Sequence, residues 1–303
     1  MFKNDKRKYQ EYKIARKYTD LHSHSTYSDG ELEPIDLLNR AIEKRVKYFS
    51  ITDHDDLGGI KDIRENHMDI VNRSGIELIN GVELSAQVSK GIMHILGYNF
   101  DIYNKELNDK LIELKTNSYY SMVSYLNGLR DDYGIKFDSS DIRDLFNIKG
   151  NIGRPHLAHL LIKYKYVDSV EDAFQKYLID VYEKARSFNK KPSYEECISL
   201  IKGAGGLAVL AHPLSLKQDK IELLKTVRDM VDCGLDGIEV FHSSHSLDNM
   251  SDYMDIVKRY KLLYTAGSDF HGEHVKPGIE LGTGKDDNLR IDSVTLVRKI
   301  SKL

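Results

Sequence analysis

The chain has 303 residues, enough for one large α/β core or for such a core carrying an inserted module. Its 44 Lys and Arg nearly balance 47 Asp and Glu, and the formal net charge of -3 argues against a protein that works by coating nucleic acid. Two cysteines, Cys197 and Cys233, exclude a disulfide framework and suit a reducing compartment; no apolar run approaches the length of a membrane span, so the expectation is a cytoplasmic protein without membrane contact.

Residues 1–17 are rich in Lys and Arg but lack the apolar stretch of a secretory signal, and read as a basic, solvated extension. A short strand then ends in His22-Ser23-His24, followed by a Ser28-Asp29-Gly30 turn. Side chains alternate faces in an extended chain, so His22 and His24 point the same way and can grip one ion. The apolar spacing of Glu33 to Lys44 predicts a helix with Pro34 near its start, and Val46 to Thr52 a strand delivering Asp53 and His54. A polar helix is expected from Ile60 to Ser74, a strand over Ile76–Asn80 ending at Glu83, and a strand from Ile92 to Tyr98 carrying His94. For Asp53 and Asp55, a turn role or a role in orienting His54 weighs at least as much as direct ligation.

From about Tyr103 to Lys184 the pattern is helical with little strand signal, which reads as an insertion, residues 103–186, able to lie over the mouth of the site as a cap. Its tyrosines read mostly as core by spacing. The α/β rhythm returns with a helix over Ser193–Ile201, a strand ending at His212, a helix from Lys220 to Cys233, a strand over Gly237–Phe241 followed by His242 and His245, a helix over Ser251–Tyr260, and a strand leading to Asp269 and His271. Imidazoles and carboxylates thus recur just past apolar runs. If those runs are parallel strands, their ends converge on one face, where α/β enzymes build their sites. The candidate ligands His22, His24, Asp29, His54, Glu83, His94, His212, Asp269 and His271 are too many for one ion, so at least two divalent metals are implied, with Mn, Zn or Fe all compatible.

The ordered set His-x-His, Ser-Asp-Gly, Thr-Asp-His-Asp, Gly-Val-Glu, His-Ile-Leu-Gly-Tyr, Leu-Ala-His-Pro and Gly-Ser-Asp-Phe-His-Gly, from about residue 18 to 284, resembles the polymerase and histidinol phosphatase (PHP) family of metal-dependent phosphoesterases. The resemblance implies a distorted (β/α)7 barrel formed by residues 18–102 and 187–303, interrupted by the helical insertion. It also implies a division of the ligands into three sets: His22, His24, Glu83 and Asp269; Glu83, His94 and His212, with Glu83 shared; and Asp29, His54 and His271. Closely spaced metals suit phosphate ester hydrolysis, with a metal-bridging water, held by Glu83 and Asp269, as the expected nucleophile. The resemblance further places Arg154 and His156 of Gly-Arg-Pro-His in contact with substrate phosphate, and His242 and His245 form a second candidate substrate set. Where relatives carry an Arg shortly after that motif, this chain has His159.

The substrate class expected is a small-molecule phosphate monoester, foremost a nucleotide such as a nucleoside 3',5'-bisphosphate, with short RNA as a further candidate and no obligate protein partner. Histidinol phosphate hydrolysis and a catalytically silent metal- and nucleotide-binding module are the alternatives.

Overall fold

The computed structural model describes residues 17–150, 152–184 and 191–301; all but Lys17 of the basic extension lies outside them. The elements in chain order are β1 (Tyr18–Asp20), α1 (Pro34–Glu43), β2 (Val46–Phe49), α2 (Gly58–Asn66), α3 (Met68–Ser74), β3 (Glu77–Leu78), β4 (Gly81–Ala86), β5 (Met93–Tyr98), α4 (Lys105–Tyr133), α5 (Ser139–Phe146), α6 (Arg154–Lys163), α7 (Val170–Ala173) and α8 (Ile179–Lys184). They continue with α9 (Tyr194–Gly203), β6 (Leu207–Leu210), α10 (Lys220–Asp232), β7 (Gly237–His242), α11 (Leu247–Tyr260), β8 (Leu263–Gly267), β9 (Ile279–Glu280), β10 (Gly284–Lys285) and α12 (Thr295–Ile300). α1 illustrates why they form: Pro34 suits the first turn, Leu37, Leu38, Ala41 and Ile42 bury one stripe, and Asp36 and Arg40 sit at the dipole ends that favour them.

The strands pair into three sheets, and the condition that the apolar runs be parallel strands is met only in part. β1, β2 and β3 form a parallel sheet, and β9 pairs with β10. In the five-stranded sheet β4-β5-β6-β7-β8, the β4/β5 and β5/β6 ladders are antiparallel and only the last two are parallel. β4 and β5 are joined by a short connection over residues 87–92, which can link antiparallel neighbours but is too short for a parallel crossover. Isolated bridges, Ser23 with Phe270 and His54 with Glu83, tie the two larger sheets together, and among the described residues no continuous ladder closes them into a barrel.

A second core lies between Met122 and Val181, in which Met122, Tyr125, Leu129, Leu157, Leu161 and Leu178 are buried. α4 is one helix of 29 residues and belongs to both cores, because Leu107, Leu111 and Leu114 pack into the α/β core while Met122, Tyr125 and Leu129 pack into the second. The tyrosine reading needs correction: Tyr125 is buried, but Tyr119, Tyr120, Tyr133 and Tyr166 are exposed. The polar helix expected from Ile60 to Ser74 is two, α2 and α3, broken at His67.

Candidate metal centre

Strand ends and strand interiors together carry the candidate ligands to one place. His22 and His24 follow β1, His54 follows β2, His212 follows β6, and Asp269 and His271 follow β8, whereas Glu83 and His94 lie within β4 and β5. Glu83 is at the middle and fully buried. Its Oε2 is 3.2 Å from both His22 Nε2 and His24 Nε2, and 3.1 Å from His54 Nδ1. Its Oε1 is 2.8 Å from His94 Nδ1 and 3.0 Å from His212 Nε2. Asp269 Oδ1 faces the same pair, 3.5 Å from His22 Nε2 and 3.3 Å from His24 Nε2. On the other side of His24, Asp29 Oδ1 lies 3.1 Å from His271 Nε2, and its Oδ2 lies 3.9 Å from His54 Nε2.

This donor set fits divalent cations. His22 Nε2, His24 Nε2 and Glu83 Oε2 are buried, have no partner outside the cluster and crowd together, each nitrogen 3.2 Å from Oε2, an arrangement that calls for positive charge among them, from a bound cation or a protonated ring. His24, Asp29, His54 and His271 have ligand atoms close enough to share one ion, as do His22, His24 and Glu83, and His54, Glu83 and His94. Burial alone would raise the carboxyl of Glu83, yet His54, His22 and His94 hold it well below the usual range. Burial likewise disfavours the charged form of His24, but the carboxylates of Asp269 and Glu83 raise its pKa to about 9.

The supports lie one layer out. Glu239, in the middle of β7, lies outside the sequence motifs that mark the ligands, although a carboxylate in an apolar strand is a visible signal. Its Oε1 accepts a hydrogen bond from His22 Nδ1 at 2.9 Å, leaving Nε2 for the centre, and its Oε2 accepts from the His212 backbone N–H at 2.8 Å. His212 and Asp269 both adopt positive φ, 21° and 57°, a conformation costing on the order of 1–3 kcal/mol and typical of functional turns. Asp53 holds a turn: its Oδ1 accepts from the Ser25 N–H at 2.7 Å and from Ser28 Oγ at 2.8 Å, shaping the segment that presents Asp29. Asp55 Oδ1 accepts from the Ser85 N–H at 2.8 Å, pinning β4 beside His54. Gly30 is required here because a Cβ would lie 2.2 Å from the His24 carbonyl oxygen.

The remaining candidates divide. Arg154, the first residue of α6, stacks its guanidinium 4.1 Å from the centre of the Tyr182 ring and lines a cavity of about 230 Å³ with Asp29, His54, His94, His156 and Lys191. His156 also caps α6, its Nδ1 accepting the Gly153 N–H at 3.1 Å. His242 joins the centre, with Nε2 3.4 Å from Asp269 Oδ2. His245 does not reach the mouth, contrary to the expectation: its Nδ1 binds the Val240 carbonyl at 2.9 Å and its ring packs on His242 and Tyr253. His159 is exposed on α6 and lines a neighbouring cavity that shares Ser28, Asp29, Pro155 and His156 with the first.

The chain is also similar to known proteins. The PHP domain model matches residues 20–188. A 3',5'-nucleoside bisphosphate phosphatase from Chromobacterium violaceum is 32% identical over 254 residues, covering 83% of this chain and 86% of that protein. A 5'-3' exoribonuclease from Haemophilus influenzae is 30% identical over 266 residues, covering 85% of this chain and 91% of the relative. A solved structure of an amidohydrolase from Chromobacterium violaceum, with bound sulfate and no metal, superposes with a TM-score of 0.75 at 29% identity and covers 94% of this chain and 96% of its own.

Proposed function

The chain belongs to the PHP-domain family and is a metal-dependent hydrolase of phosphate esters; from that premise we propose that its substrate is a nucleotide phosphate monoester, foremost a nucleoside 3',5'-bisphosphate. The observation that carries this reading is the placement of Arg154 and Lys191 across a single cavity from Asp29, His54 and His94, which gives a second anionic group its own cations while the first sits at the ligand cluster. The name of the Chromobacterium phosphatase supports it, as does the sulfate in the Chromobacterium structure, a tetrahedral oxyanion of the same shape as phosphate. The exoribonuclease relatives keep short 5'-phosphorylated RNA as a further substrate.

Two or three ions, Mn, Zn or Fe, would be held by His22, His24, Glu83 and Asp269, by Glu83, His94 and His212, and by Asp29, His54 and His271. When bound, such ions supply charge neutralisation at the phosphoryl oxygens and an acidified water. The chain's residues set the stage for that chemistry. Glu83 turns Oε2 toward His22 and Oε1 toward His94 and would so serve both sides, and Glu239 fixes the His22 ring so that Nε2 faces inward. Arg154 orients the far end of the substrate. The α/β body we read as a distorted barrel whose sheets meet at Ser23–Phe270 and His54–Glu83, with residues 103–186 as its cap.

The test is phosphate release by Mn-loaded protein from a nucleoside 3',5'-bisphosphate, a nucleoside 5'-monophosphate, histidinol phosphate and a short 5'-phosphorylated RNA, with Asp269→Ala as control. Preference for the bisphosphate, lost in the control, is the expected result. Turnover of histidinol phosphate alone would overturn the nucleotide reading, and silence across the panel would favour a binding module.

A further inference from the structure

We propose that Lys276 is a substrate-binding residue, a cation that takes the oxygens of the phosphoryl group entering the cleft beside Asp269. The inference deepens the phosphoesterase reading above and rests on it.

Asp269 divides its two oxygens. Oδ1 faces His22 and His24, while Oδ2 turns the other way and lies 2.6 Å from Lys276 Nζ and 3.4 Å from His242 Nε2. That second side opens on a cleft of about 630 Å³, lined by His94, His212, His242, Lys276 and Lys285 among others. The ammonium therefore sits where the ligand cluster meets the cleft. Lysine carries three donors, and the contact with Asp269 uses one of them. With 36% of its side chain exposed, Lys276 has donors left for an anion in the cleft. His242 Nε2, buried and without a hydrogen-bond partner, faces the same position.

The backbone that carries Lys276 is anchored rather than loose. Gly272 turns the chain at a φ of 105°, where a Cβ would lie 2.4 Å from Glu31, and the Lys276 N–H closes the turn on the Gly272 carbonyl at 2.9 Å. Glu31 holds the turn from outside, accepting the His274 backbone N–H at 3.1 Å and contacting its Nδ1 at 2.6 Å. A flexible side chain on a fixed turn can exchange one oxyanion partner for two without rearrangement of the fold. The chemistry it recognises is a phosphoryl group with two or three negative oxygens, for which a lysine serves as a point charge.

The experiment is calorimetric titration of inorganic phosphate into Mn-loaded wild type, Lys276→Met and Lys276→Arg, with the metal content of each sample measured and thermal unfolding recorded as a check of folding. We expect Lys276→Met to bind phosphate roughly ten- to hundredfold more weakly at unchanged metal content, and Lys276→Arg to recover most of the loss. Phosphate binding by Lys276→Met equal to that of wild type overturns the assignment and leaves the phosphoesterase reading intact. Weakened binding that returns to the wild-type level once the variant's metal content is restored also overturns it, because Lys276 would then act only through Asp269. A wild type that binds no phosphate overturns both.

Discussion

Glu239 shows how much a single buried carboxylate can organise without touching substrate. It joins His22, which follows β1, to His212, which follows β6, through one oxygen each. Glu239→Gln keeps the volume but replaces one of those acceptors by a donor and removes the charge that favours a protonated Nδ1 on His22. We predict a 10- to 100-fold loss of metal affinity, an order taken from outer ligand supports elsewhere, read by competition with a chelating dye. At saturating metal kcat should be largely kept; an unchanged metal affinity would show that His22 needs no such support. At this scale the candidate ligands were legible because each lies in a short motif whose chemistry is local. Glu239 was not, since its role depends on two residues 217 and 27 positions away. His245 was misread for the same reason: the sequence places it beyond a strand but does not say that its ring folds back under His242.

At the scale of elements, one glycine closes a contact between the helical segment 103–186 and the α/β body, beside the helix α4 that joins the two. A Cβ on Gly150, in the loop after α5, would lie 1.5 Å from the Tyr27 carbonyl oxygen, and Tyr27 belongs to the turn that Asp53 shapes around Asp29. Gly150→Ala must therefore push the cap off that turn. The expected outcome is a rise in KM of roughly tenfold or more, since displacement by about 1 Å is enough to lose that much, with metal content unchanged; steady-state kinetics beside metal analysis would check it. Element types were legible from periodicity, and the helices α1, α9, α10 and α11 fall near their expected bounds. Strand direction was not, because an apolar run such as Met93–Tyr98 has the same pattern whichever way its neighbour runs. The length of α4 was not legible either, because its buried stripe changes partners: Leu114 faces one core and Met122 the other, with the polar Thr116-Asn117-Ser118 between them.

For the whole molecule, the pH dependence of stability should reveal whether the centre is filled. In protein stripped of metal, His24 is held as an imidazolium by Asp269 and Glu83, with its pKa raised from 6.5 to about 9. A raised pKa means that this contribution is complete below pH 6.5 and is lost as pH climbs through 9. Stripped protein should thus lose stability between those values in urea unfolding. Metal binding needs the neutral imidazole, so loading should release protons and flatten the profile. A stripped sample whose stability is level across this interval would contradict the arrangement.

The way α4 is seated has a mechanical side. A rod of 29 residues is about 43 Å long, clamped near one end by Leu107, Leu111 and Leu114 and carrying the cap on the rest. Tyr133 stands about 28 Å beyond Leu114, so a tilt of about 5° at the clamp sweeps that end through roughly 2.5 Å. The rod is a lever with a short arm in the α/β core and a long arm in the cap. Slight changes in how three leucines settle are geared up into displacements of the size on which a hydrogen bond to a substrate depends.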